Sequence, residues 1–204
     1  MTRPLLRFDD FYKKACLFEA SLILVAVFFG WIVQINPVAT FHFTGLSIAL
    51  GLVGTLPLFM MFLAMEKIPG DAVFQIRRFL LETLGPCLDG YSWLDLLVLG
   101  MVAGISEEVL FRGVLQPWLE LVIGLRPGFW VSNVIFGLLH SITPLYAMLA
   151  ALVGAYLGWT MDFFDDRNLL TPVIIHSLYD FLAFAALLRS YRAGMMNGHK
   201  RTFN

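Results

Sequence analysis

Ionisable residues recur at fixed spacing in the second half of this chain, inside stretches apolar enough to span a bilayer. Three pieces stand out: Glu107-Glu108-Val109-Leu110-Phe111-Arg112, then Phe136-Gly137-Leu138-Leu139-His140, then His176-Ser177-Leu178-Tyr179-Asp180. An acid or base at the centre of a membrane helix costs roughly 2.5–3.5 kcal/mol on insertion scales, so these groups point to a polar site buried among helices. Glu108 and Arg112 stand four apart with the acid first, the better order for an ion pair on one helix face. Glu107 is turned about 100° away and has no such local partner. Beside an imidazole it could act as a general base toward water. His176 and Asp180 share a face as well. The aspartate can fix the ring's tautomer or hold it as an imidazolium, which could donate to a developing oxyanion. Each piece also has a structural reading: a packing ion pair, a satisfied histidine such as His140, a clip between helices. Their occurrence in order on three separate segments favours chemistry.

The elements that must position them are membrane helices. Of 204 residues, 59% are hydrophobic and 14% charged, with a mean hydropathy of +0.77; soluble domains are about 25% charged. The composition predicts an all-α, polytopic transmembrane helix bundle of about six spans with one amphipathic surface helix. The spans are expected at 17–35, at 44–65 with a kink at Pro57, from Trp93 into the first motif, to about 142, at 145–161 and at 169–188. The first is read as retained, because no convincing cleavage site follows it. Pro117 and Pro127 bracket the place where the third helical region should bend or end, and Pro144 divides the fourth span from the fifth. The amphipathic helix is expected at 72–84 and a polar, loose tail from Arg189. Gly100-xxx-Gly104 and Gly154-xxx-Gly158 predict close helix approach. A net charge of −1 argues against a nucleic-acid partner, and Cys16 and Cys87 are too few for a disulfide framework. The expected partners are membrane lipid and a protein or peptide.

Basic residues suggest an orientation. Arg3, Arg7, Lys13 and Lys14, then Lys67, Arg77 and Arg78, then Arg189, Arg192, Lys200 and Arg201 fall on one side of a six-span arrangement. That side is expected to be cytoplasmic. Counting about 1.5 Å per residue puts Glu107, His140 and His176 together in the opposite, non-cytoplasmic half.

The ordered set E-E-x-x-x-R, F-x-x-x-H and H-x-x-x-(N/D) resembles the CPBP intramembrane protease family. That family groups type II CAAX prenyl endopeptidases with bacterial proteins linked to bacteriocin processing and immunity. The resemblance covers about half the chain, and implies residues 93–190 as a catalytic helical core, 1–92 as a two-span N-terminal region and 191–204 as a polar tail. It implies an intramembrane endopeptidase of a membrane-associated or lipidated protein or peptide precursor, expected in a bacterial cytoplasmic membrane. By match, Glu107 and His140 activate water, His176 and Asp180 stabilise the oxyanion, and Glu108 and Arg112 support them from behind. Prenyl endopeptidases typically carry Asn where this chain has Asp180, and an ionised aspartate cannot donate to an oxyanion. The resemblance also admits a metal-dependent form, in which Glu107, His140 and His176 would hold a divalent ion such as zinc with one position open. No H-E-x-x-H motif is present, so the metal-free mechanism is favoured and no cofactor is expected. The competing functions are a non-catalytic adaptor or bacteriocin-immunity protein and a proton-coupled transporter. The absence of an evident internal repeat weighs against the transporter.

Overall fold

A computed structural model describes residues 8–163 and 166–201. The side chains of Arg3, Arg7, Lys200 and Arg201, named above as orienting charges, lie outside the described residues. The described residues form helices and no strands: α1 (Phe8–Val33), α2 (Gly45–Met65), α3 (Asp71–Leu88), α4 (Trp93–Leu110), a π-helical turn (Phe111–Leu115), α5 (Gln116–Ile123), α6 (Leu125–Leu139), α7 (Pro144–Met161) and α8 (Leu170–Arg201).

Local chemistry sets most of the boundaries. α1 ends where Gln34 takes a left-handed backbone (φ 59°). Thr44 caps α2 by accepting from the Ser47 amide, and Thr143 caps α7 by accepting from that of Tyr146. Ser92 and Asp95 close a reciprocal capping box on α4. Gly124 (φ 95°) ends α5, between the two prolines that bracket the expected end.

Large apolar side chains such as Leu17, Phe18, Trp31, Leu52 and Leu56 are exposed, as suits helices whose outer faces meet lipid. Among the described residues, four helices, not six, are long and apolar enough to cross a membrane on their own: 11–33, 45–65, 144–161 and 170–195. The other two expected spans depart for different reasons. α4 carries three acids, Asp95, Glu107 and Glu108. α6 has 15 residues, about 22 Å, against a hydrocarbon core of about 30 Å. The last helix does not stop near 188 but runs on to Arg201.

α8 is the hub, packing against α2, α3, α4 and α7, while α1 lies along α4. α1 packs on α4 and α2 on α8, and α3, which joins them in the chain to α4, packs against α8 at one end of the bundle. That end gathers the described residues of the orienting set, without Arg112, Arg126 and Arg167, and is tied by Arg192–Asp89 (2.8 Å) and by Arg77 donating to the Glu66 carbonyl (2.8 Å). The opposite end is tied by Arg167 to Glu120 (2.7 Å) and Asp162 (2.6 Å), and by the Leu169 amide to the Thr40 carbonyl (3.0 Å). One apolar cluster fills each end: Ala26, Val109, Val114, Met161 and Val173 at the second, and Leu88, Leu96, Leu99 and Leu187 at the basic one.

The glycine pairs do bring helices together. A Cβ on Gly104 would sit 2.6 Å from the Ser177 amide nitrogen, and one on Gly100 would sit 2.8 Å from the Ser177 carbonyl oxygen. α4 and α8 are therefore in backbone contact beside the motifs they carry. Gly104→Ala is expected to lower stability by about 1–3 kcal/mol, the usual cost of overpacking. Gly45→Ala, with nothing within 4 Å, should change it by less than about 0.5 kcal/mol. Thermal unfolding of the two variants in detergent checks the contrast.

Candidate active site

The site is built on a fully buried cation. Arg112 is 1% exposed and sits in the π-helical turn that follows α4. Its Nη1 donates to Glu108 Oε1 (3.0 Å), and its Nη2 donates to Asn133 Oδ1 (3.1 Å) and to the Gly154 carbonyl (2.6 Å). The guanidinium carbon lies 4.7 Å from the centre of the Phe136 ring. One side chain thus fastens α4, α6 and α7 together. Gly154 is glycine for the same reason: a Cβ there would meet Asn133 Oδ1 at 2.9 Å and Arg112 Nη2 at 3.1 Å.

Glu108 faces the same way as Arg112, as their spacing requires. Its Oε1 also lies 2.8 Å from His176 Nδ1. Asp180, which its spacing allows to orient His176, lies farther off, with Oδ2 3.7 Å from the other ring nitrogen, Nε2. The physical reason is the close approach of α4 and α8, which puts an acid from the neighbouring helix nearer than the one a turn away. Glu108 therefore holds the histidine as well as the arginine.

Glu107, turned away from that pair, points into a cavity. Its Oε2 lies 3.5 Å from His140 Nε2 and 4.0 Å from His176 Nε2. His140 is positioned from behind: Nδ1 is 2.8 Å from the Phe136 carbonyl, which can only accept, so Nδ1 carries a proton and Nε2 faces the acid. The Phe136 ring stacks on the imidazole, with centroids 4.3 Å apart. The aromatic residue four before the histidine thus packs between His140 and Arg112. His140 itself lies just past α6, as its cap, rather than inside a helix reaching 142.

All four residues expected to be catalytic, Glu107, His140, His176 and Asp180, line one cavity of about 480 Å³. Among the described residues no group of three or more His, Cys, Asp or Glu side chains is arranged to hold a metal ion. Glu108 at His176 Nδ1 leaves Nε2 facing Glu107 and Asp180.

The cavity reaches one end of the bundle. It runs from Glu107 past Leu99 and Leu84 to Phe11, Glu66 and Arg77, so it extends toward the basic end of the bundle and not away from it. The reason lies in helix continuity. α4 does not end near the first motif but continues through the π turn into α5, roughly 45 Å in all, which leaves Glu107 near mid-length. α6 returns about 22 Å from the end of α5, far enough for His140 to reach the level of Glu107.

Sequence reasoning missed three members. Asn133 and Gly154 complete the shell of Arg112. Glu19 of α1 lines the cavity, and its signal was available as the one charge in the 17–35 run.

Residues 89–182 match the family model described as type II CAAX prenyl endopeptidase Rce1-like. This segment is Rce1-like. The match begins just before α4, ends just after Asp180 and takes in all three motifs, in agreement with the resemblance read from them. It supports a CAAX-protease-like enzyme, and the apolar helices support an integral membrane protein. No curated protein and no solved structure matches the chain.

The two adjacent acids of the Rce1-like segment should fail differently. Glu108→Gln removes the charge partner of a buried arginine, a change that typically costs about 3–5 kcal/mol. Thermal unfolding in detergent is expected to show a larger drop for Glu108→Gln than for Glu107→Gln, and the reverse order would mean that the acids are assigned the wrong way round.

Proposed function

We propose that the chain is an intramembrane endopeptidase that hydrolyses a peptide bond of a membrane-associated or lipidated protein or peptide with water activated by Glu107 and His140. The observation that carries this reading is the placement of Glu107 Oε2 within 3.5 Å of His140 Nε2 and 4.0 Å of His176 Nε2, at the inner end of a largely apolar cavity. The carboxylate takes a proton as the water oxygen attacks the scissile carbonyl carbon, while His140, its Nδ1 tied to the Phe136 carbonyl, orients that water through Nε2. The carbonyl oxygen becomes an oxyanion and accepts from His176 Nε2, whose ring is held by Glu108 through Nδ1. The proton on Glu107 passes to the leaving amine as the C–N bond breaks. Asp180, 3.7 Å from His176 Nε2, acts through that histidine. The cavity reaches the basic end, so with basic residues on the cytoplasmic side the substrate enters from the cytoplasm, in a bacterial cytoplasmic membrane.

Glu107→Ala and His140→Ala are each expected to lower turnover by about 10²–10⁴-fold in folded protein. The assay is hydrolysis of membrane-anchored peptides by the purified protein in nanodiscs, without any ion gradient. That format also separates an enzyme from an adaptor or a transporter. Turnover near wild type for Glu107→Ala would sink the mechanism.

The reading is metal-free. Activity is expected to survive prolonged chelation, and elemental analysis should find far less than one zinc per chain. A tightly held zinc lost together with activity would replace the glutamate–histidine mechanism with a metal-dependent one.

A further inference from the structure

Glu19 lies on α1, outside the Rce1-like segment, and takes no part in the chemistry above. It occupies the inner face of its helix: Ala15, Glu19, Leu22, Ala26 and Phe29 follow one another at spacings of four, three, four and three, and all are at least partly shielded. The outer face of the same helix is large and apolar, with Phe18, Leu24 and Phe28 exposed. A carboxylate on that inner seam costs stability unless something matches it. Glu19 Oε2 is shut off from solvent and has no hydrogen-bond partner among the described residues.

The other acids of the cavity are already engaged. Glu107 and Asp180 face His140 and His176, and Glu66, at the mouth, accepts from Ser190 Oγ (3.4 Å). Arg77, the arginine of the wall, donates to the Glu66 carbonyl. Glu19 is left with an oxygen that no described residue hydrogen-bonds, on a wall that includes Leu80, Leu84 and Leu99. The ligand chemistry that fits this is a long apolar stem ending in a cation, the form of a lysine or arginine side chain.

We propose that Glu19 determines specificity by accepting the cationic end of a lysine or arginine side chain in the peptide substrate, whose apolar stem lies along the cavity wall. The proposal rests on the endopeptidase reading for the identity of its ligand, and it adds a residue from the N-terminal region to the recognition apparatus.

The test uses the full chain in nanodiscs and a fluorescent, membrane-anchored, leucine-rich peptide in which a single lysine is moved along the sequence. The control peptides carry norleucine at the same positions. Binding is read by anisotropy and cleavage by mass spectrometry, independently of each other. Wild type is expected to bind the best-placed lysine peptide about tenfold or more tightly than its norleucine counterpart, as a charge-assisted contact implies. Glu19→Gln should erase that preference while leaving norleucine-peptide binding unchanged, and Glu19→Asp should keep part of it. Equal binding of the two peptides by wild type, or binding of neither, would overturn the proposal without recourse to any variant. A preference that persists in folded Glu19→Gln would overturn the assignment to this residue. Lysine-selective binding with no cleavage of any peptide would instead condemn the endopeptidase reading and leave the cation site standing.

Discussion

A guanidinium with almost no access to solvent must have its charge and donors matched from within, and the rest of the site follows from how Arg112 is matched. One carboxylate, one amide oxygen and one backbone carbonyl are drawn from three helices to meet it. Those three contacts fix α6 and α7 against α4. Fixing α6 fixes Phe136, and Phe136 fixes His140 by carbonyl and ring. The same carboxylate oxygen that meets Arg112 meets His176, so α8 joins the assembly through a shared atom. Buried ion pairs are poor sources of net stability, because desolvation offsets most of the attraction. What this one contributes is position.

Two neighbouring glutamates with the same chemistry acquire different tasks from helix geometry alone. A rotation of about 100° sends Glu108 into the polar layer between the two apolar clusters and Glu107 into the cavity. The π turn after Leu110 adds a second adjustment. It takes in an extra residue without breaking the helix, and it lies where Arg112 must turn toward Asn133 and Gly154. Such turns are common at functional sites for this kind of reason: they alter the phase of a helix locally while keeping its hydrogen-bonded course.

The helical class, the motifs and the Glu108–Arg112 pair were legible in the sequence because each is a short-range relation, set by spacing along one helix. What was not legible is mostly relation between helices. That His176 meets Glu108 more closely than Asp180 depends on the absence of side chains at Gly100 and Gly104 opposite Ser177. That Asn133 and Gly154 serve Arg112 depends on how far α6 and α7 reach. Four of the six expected spans are long and apolar enough to cross alone, and the other two, α4 and α6, are more acidic or shorter. Pro117 sits in the first turn of α5, where proline needs no amide partner, and the helix carries on to Gly124.

α6 ends about 22 Å from its start, and the residues joining it to α7 form a non-helical turn well short of a full crossing. Irregular backbone at such depth is tolerated only when it is wrapped in protein or borders an aqueous space. His140 begins that turn and also lines the cavity. The cavity beside that interruption has room for water, which the proposed hydrolysis would consume. A fully spanning α6 would have satisfied its own backbone and carried no such turn. Stopping the helix early gives the reagent a place to reside.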